Sequence, residues 1–268
     1  MARKILSISK LGNTEPFNLQ VSEGQVAWHT TLYKFGYNPA VATGEETISF
    51  QGGNIPWQTS AVTVYVSSSD NTADTAAGTG ARTIEVQGLD ADYNPLTGIA
   101  ILNGQTQVAI TAEGGGAIAF LRVFRAFITT SGSGGGSAGT VYVGPTGSSS
   151  GVPTTVYANL GTNNQTQQAV YTVPAGRTLY LDDIVFTAGI SQANQYATVK
   201  FNTRLFGTDT WRTSYINVIQ TSSLAANFEY PLSFAEKTDM ECRAISSSGT
   251  HPIGASFQGV LVLNTSEL

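Results

Sequence analysis

Apolar and polar residues alternate with a period near two along most of this chain, the mark of strands with one buried face. In 83–89, Thr83, Glu85 and Gln87 alternate with Ile84, Val86 and Leu89. The small residues of 78–81 release that segment, and a turn at 90–95 ends it. A strand at 99–102 follows, then Asn103-Gly104, a pair that favours positive φ in a tight turn, then a returning strand at 105–110. Together these predict a β-meander. Further strands are expected at 45–50, 61–66 and 140–143. Segment 117–130 (AIAFLRVFRAFITT) is apolar enough for a helix, but its Ile, Phe and Val, with Arg122 and Arg125 between them, predict a long strand.

The first 40 residues read differently. Phe17, Leu19 and Val21 alternate and predict one short strand. Segment 26–37 (VAWHTTLYKFGY) is aromatic without helical spacing, and Pro39 begins an extended stretch, so 1–40 reads as an N-terminal arm or edge strand. Segment 67–80 is a low-complexity loop of Ser, Thr, Asp, Ala and Gly, and 131–139 (SGSGGGSAG) has the composition of a flexible hairpin loop. The Gly, Pro and Ser of 144–153 mark a linker. Beyond it, strands are expected at 154–160, 169–173, 178–187, 196–206, 211–220, 228–234, 239–245 and 254–262. The fold class is therefore all-β: an arm at 1–40, a β-sandwich domain at 41–143, the linker, and a jelly-roll-like β-sandwich domain at 154–268.

Composition sharpens this. Charged residues are 12% of the chain, about half the usual share, and there are 29 glycines where about 19 would be ordinary. A polar but uncharged surface suits exposed strands and also suits packing against another protein, since Lys and Glu are costly to desolvate there. The net charge is −5 and the cations are scattered, which argues against a nucleic-acid partner. The first residues, MARKILSISKLG, lack the apolar core of a signal peptide, and no apolar run reaches the about 18 residues that span a bilayer. Synthesis in the cytoplasm and no membrane partner are the expectation.

No constellation supports chemistry, so no catalytic, cofactor-binding or metal-ligating residue is assigned. Asp90, Asp92 and Asn94 open like a calcium loop, but its sixth and twelfth positions hold Pro95 and Ile101, so an Asx turn is expected. Asp182 and Asp183 are neighbours in a strand and should point to opposite faces, as should Glu45 and Glu46. His29 and His251 make neither a triad nor a metal site. The lone Cys242 reads as a small buried hydrophobe. Tyr196, Trp211, Tyr215 and Tyr230 read as core aromatics, with a carbohydrate platform as the alternative.

Three stretches carry a family likeness: AVATGEETISFQGGNIPW, then SSSDNTADTAAGTGARTIEVQGLDADYNPLTGIAILNGQTQVA, then FLRVFRAFITTSG. In order they resemble virion structural proteins of tailed phages from marine and freshwater bacteria, cyanophages included. VYTVPAGRTLYLDDIVF and EKTDMECRAISSSG resemble the companion domain. The chain departs from the pattern at Ile55-Pro56-Trp57 and at 96–100, both local loops. The resemblance implies a virion component without enzyme activity: a capsid cement or decoration protein on the outside of the capsid, partnered by the major capsid protein and by itself as a homotrimer. The N-terminal arm and the loops at 67–80 and 131–139 would make its contacts. A tail, collar or head-fibre component that binds host glycans is the alternative.

Overall fold

The computed structural model describes residues 15–161, 163–220 and 222–264; the expected arm's residues 1–14 lie outside that range. The fold is all-β. The described residues form antiparallel sheets with one helix, Phe17–Ser22. A strand was expected there. Three alternating residues fit either period, and the helix buries only Gln20 and Val21, leaving Phe17 and Leu19 at the surface. Pro16 precedes its first turn, where a missing N–H costs nothing. Val21 packs with Val26 under Val260 and Val262.

Eight strands of the larger sandwich, in chain order, are His29–Val41, an interrupted second strand, Arg177–Ala188, Ala197–Arg204, Arg212–Ile219, Ser222–Phe234, Asp239–Ser246 and His251–Leu263. One sheet orders them first, eighth, third, sixth; the other orders them second, seventh, fourth, fifth. Leu179, Leu181, Ile184, Phe186, Phe201 and Phe257 fill the space between, fully buried. The described part of the expected arm, from His29 on, is thus the outermost strand of this sandwich. It runs against His251–Leu263 from His29 opposite Val262 to Asn38 opposite Ile253. Its alternation was hidden because its inward positions, Leu32, Lys34, Gly36 and Asn38, are mostly not apolar.

The second strand is made of two pieces laid end to end. Glu46–Thr47 pairs with Arg243 and Ala244, and Val170–Thr172 pairs with Asp239, Met240 and Glu241. Cys242 between them donates its N–H to the Ala169 carbonyl and accepts from the Ile48 N–H. At the break, Ala169 N–H donates to Ile48 O, and Ser49 bridges Gln168. The crowding there explains Gly36 on the neighbouring strand: a Cβ would sit 2.3 Å from both Ala169 N and Ile48 O. The chain leaves the strand after Ile48, builds the smaller sandwich, and returns at Ala169.

The smaller sandwich packs the sheet Ala158–Asn159, Val141–Gly144, Tyr65–Ser68, Val108–Ala109 on the sheet Pro95–Ile101, Ala81–Leu89, Arg122–Ser131. Val64, Val66, Ile84, Val86, Phe120 and Leu160 are in its core. The hairpin of Ala81–Leu89 with Pro95–Ile101 is present and a long strand runs over Arg122–Ser131, but the expected returning strand at 105–110 shrinks to Val108–Ala109, which pairs with Tyr65–Ser68 in the facing sheet and not with the meander; Gly104 has φ of 59°. The expected linker at 144–153 does not separate the units. It holds a hairpin, Ser148–Ser149 with Val152–Pro153, and Ala158–Asn159 pairs back across it with Tyr142 and Val143. Gly and Pro mark turns and linkers alike, and composition cannot tell them apart.

Candidate functional site

The two sandwiches meet along Arg122–Ser131, whose Arg122 and Phe124 side chains face the larger unit while Val123 faces the smaller core. Arg122 is buried, and its fork grips Asp239: Nε to Oδ1 at 2.9 Å and Nη2 to Oδ2 at 3.0 Å. Arg204 reaches the same carboxylate from the larger sandwich, with Nε at 3.1 Å and Nη2 at 2.6 Å from Oδ2, and Thr172 Oγ1 donates to Oδ1 at 2.6 Å. Rings interleave with the cations. Arg122 lies over Trp57 and Tyr93, Arg204 over Trp57 and Trp211, and Lys237 over Tyr93 and Phe206. Arg122, Trp57 and Tyr93 come from the smaller unit; Arg204, Lys237, Phe206 and Trp211 come from the larger one. Such bidentate, desolvated contacts fix orientation strongly, and their loss is costly. Trp57 is half-buried in this joint.

The two low-complexity loops form one rim, stitched through buried Asp74. Its carboxylate accepts from Ser68 Oγ at 2.6 Å, Ala81 N at 2.8 Å, and Ala138 N and Gly139 N at 2.9 Å each. Gly132 N donates to Gly80 O and Gly134 N to Thr79 O. The glycines serve close approach, where flexibility was expected: a Cβ on Gly132 would fall 2.3 Å from Gly78 O.

Opposite the arm strand, both sheets of the larger sandwich end in open edges, Arg212–Ile219 and Ser222–Phe234. Ile216 is 56% exposed, Val218 54% and Tyr230 80%. From Arg212 to Phe234 the only charges are Arg212 and Glu229, and one proline, Pro231, interrupts. Natural edges usually carry more protection than this.

The other candidates resolve individually. Asp90 Oδ1 accepts from Asp92 N and Asn94 N, the expected Asx turn. Asp182 and Asp183 do not simply face opposite ways: a bulge falls between Leu181 and Asp183, which breaks the alternation. Partial burial and then the Asp183 charge raise the Asp182 pKa; burial raises that of Asp183 against a hydrogen bond from Gln258. Glu45 holds Lys200 at 2.5 Å and Arg243 at 3.3 Å, while Glu46 accepts from Asn38 Nδ2, Ala42 N and Gly53 N. Burial raises the pKa of Glu241, opposed by Arg243 and Thr47. His29 bonds Ala27 O, and His251 is buried opposite Val41, at the other end of the same strand pair. Cys242 is fully buried; burial, then the Glu241 charge, push its thiol pKa well up. Trp211 packs on Trp57, and Tyr215 lies between Phe186 and Phe228, so the four aromatics do not form one platform. Among the described residues no group of three His, Cys, Asp or Glu is placed to hold a metal ion, and no helix is long and apolar enough to cross a membrane.

Asp239, Arg122, Asp74 and Lys34 were not singled out from sequence. Lys34 and Arg122 stand among apolar and aromatic neighbours, which was the only available signal for them, whereas Asp239 lies in a charged stretch and Asp74 in a polar loop that gave none.

No protein-family model matches the chain, and no curated protein matches its sequence. Among solved structures, the chain is similar to that of the infectious bursal disease virus Gt strain, at 11% identity and a TM-score of 0.23, covering 93% of this chain and 78% of that one. The infectious bursal disease virus Gx strain gives 10% identity and a TM-score of 0.22, covering 88% and 71%. The VP2 subviral particle of the same virus gives 9% and 0.12, covering 91% and 83%.

Proposed function

We propose that this chain is a structural protein of a tailed-phage virion, without enzyme activity: a capsid cement or decoration protein, synthesised in the host cytoplasm, that binds the outside of the major capsid lattice as a homotrimer and bridges capsomers. The double open edge at 212–234 is the observation that carries this reading. Its sparsely charged, partly apolar strands have unpaired backbone groups on two sheets at one side of a rigid block, and many modest contacts of that kind add up across a lattice. The ordered set of phage-like motifs supports the same conclusion. So does the strand order of the larger sandwich: pairing first with eighth, second with seventh, third with sixth and fourth with fifth is what a rolled antiparallel ribbon gives, the jelly-roll reading. The domain division that we propose follows the pairing, with 50–168 as one unit and 15–49 with 169–264 as the other.

The alternative, a tail, collar or head-fibre component that binds host glycans, draws on the exposure of Tyr230 and Tyr196. Counting copies per particle on a stained gel against the major capsid protein separates the two. Hundreds of copies support the cement reading, and a dozen or fewer overturn it.

A further inference from the structure

The joint buries a lysine amine with no carboxylate beside it. Lys34 points inward from His29–Val41, is 9% exposed, and donates from Nζ to the Phe124 carbonyl at 2.6 Å. Phe124 belongs to Arg122–Ser131, so this bond crosses between the sandwiches. The charged and titratable side chains on the elements packed around this corner are Arg122 and Arg125 on Arg122–Ser131, Tyr171 on Val170–Thr172, Asp239, Glu241, Cys242 and Arg243 on Asp239–Ser246, and His251 at the far end of His251–Leu263. Asp239 is committed to Arg122 and Arg204, and Glu241 to Arg243 and Thr47. None of the ion pairs among the described residues includes Lys34. Arg125 opposes its charge, and the Phe124 ring, 5.4 Å from Nζ, offers only partial compensation.

We propose that Lys34 is an acid-operated release in this joint. A proton taken up from solvent turns a buried amine, satisfied by one carbonyl, into a cation with no carboxylate, and parting Lys34 from Phe124 returns that cation to water. Burial, then the Arg125 charge, lower the Lys34 pKa from 10.5 to about 7. The sign follows. The closed joint prefers the neutral amine, so opening becomes easier as pH falls from the ordinary lysine range to about 7. It levels off below about 6, where closed and open forms are both protonated. This inference is independent of the virion role.

Hydrogen exchange on the full chain tests it, comparing peptides over 122–128 and 165–172 with those over 81–89 after correction for intrinsic rates. Opening of the joint peptides should rise on the order of tenfold from about pH 8.5 to about pH 6, with 81–89 unchanged. In Lys34→Met the rise should disappear. Equal joint opening at both pH values, or a rise that survives in K34M, overturns the proposal. Should K34M fail to fold, the Lys34 Cε carbon shift in the unaltered protein serves instead. A titration midpoint near the value given above supports the release; one above about 9, close to ordinary lysine, overturns it.

Discussion

Asp239 and Asp74 are buried carboxylates that each gather donors from segments far apart in the chain, and Asp74 makes a residue-scale prediction. Asp74→Ala strands the Ala81, Ala138 and Gly139 N–H groups. It should cost about 3 kcal/mol in urea unfolding, read as a lower midpoint with the slope unchanged. Cys242 makes the opposite kind of prediction. Its buried, acid-flanked thiol should resist a thiol reagent at about pH 8 for as long as the fold persists and react fully in denaturant. Sequence served the two residues unequally. Cys242 was legible because burial is the ordinary fate of a lone Cys, here one that alternates with charged Glu241 and Arg243 along a strand. Asp74 was not: its donors at 138 and 139 lie in a loop whose Gly and Ser were read as freedom, and only the folded chain shows them as clearance. Asp239 and Arg122 were equally silent, being 117 residues apart.

At the scale of elements the strands were the legible part. Segments 178–187, 196–206, 211–220 and 239–245 fall close to Arg177–Ala188, Ala197–Arg204, Arg212–Ile219 and Asp239–Ser246 because one face of each meets a core or a sheet neighbour. Period failed where that cause was absent. His29–Val41 buries Lys34, Gly36 and Asn38, and the helix at Phe17–Ser22 is too short to declare a repeat. The open edges yield a prediction that separates contact from stability. Ile216 and Val218 point away from the core, so changing both to Lys should move unfolding by no more than about 0.5 kcal/mol. The same change should abolish retention on purified capsids, measured by co-sedimentation. Gly36→Ala should do the reverse. It forces its Cβ into two backbones and should lower the melting temperature by several degrees or prevent folding, whatever becomes of binding.

For the whole molecule, the Arg122–Asp239–Arg204 clamp decides whether the two units behave as one. The intact chain should unfold in a single calorimetric transition. Asp239→Ala leaves two guanidiniums without their carboxylate and should cost about 3–5 kcal/mol, dividing the melt into two steps. Arg122→Met should cost less, because Arg204 and Thr172 still satisfy Asp239. The domain arrangement was the least legible level. Composition places a break at 144–153, whereas the chain changes units at 48–50 and 167–169, inside a strand with no Gly or Pro to announce it.

That split strand has a further consequence. Ser49 and Gln168 are bridge partners, so the outgoing and incoming chain stand side by side. The smaller unit is a graft set into a slit: suturing 49 to 168 with a turn of about three residues, well within ordinary hairpin loops, would heal the rootstock without shifting its ladders. A scion held that way can be swapped for another while the trunk keeps every rung.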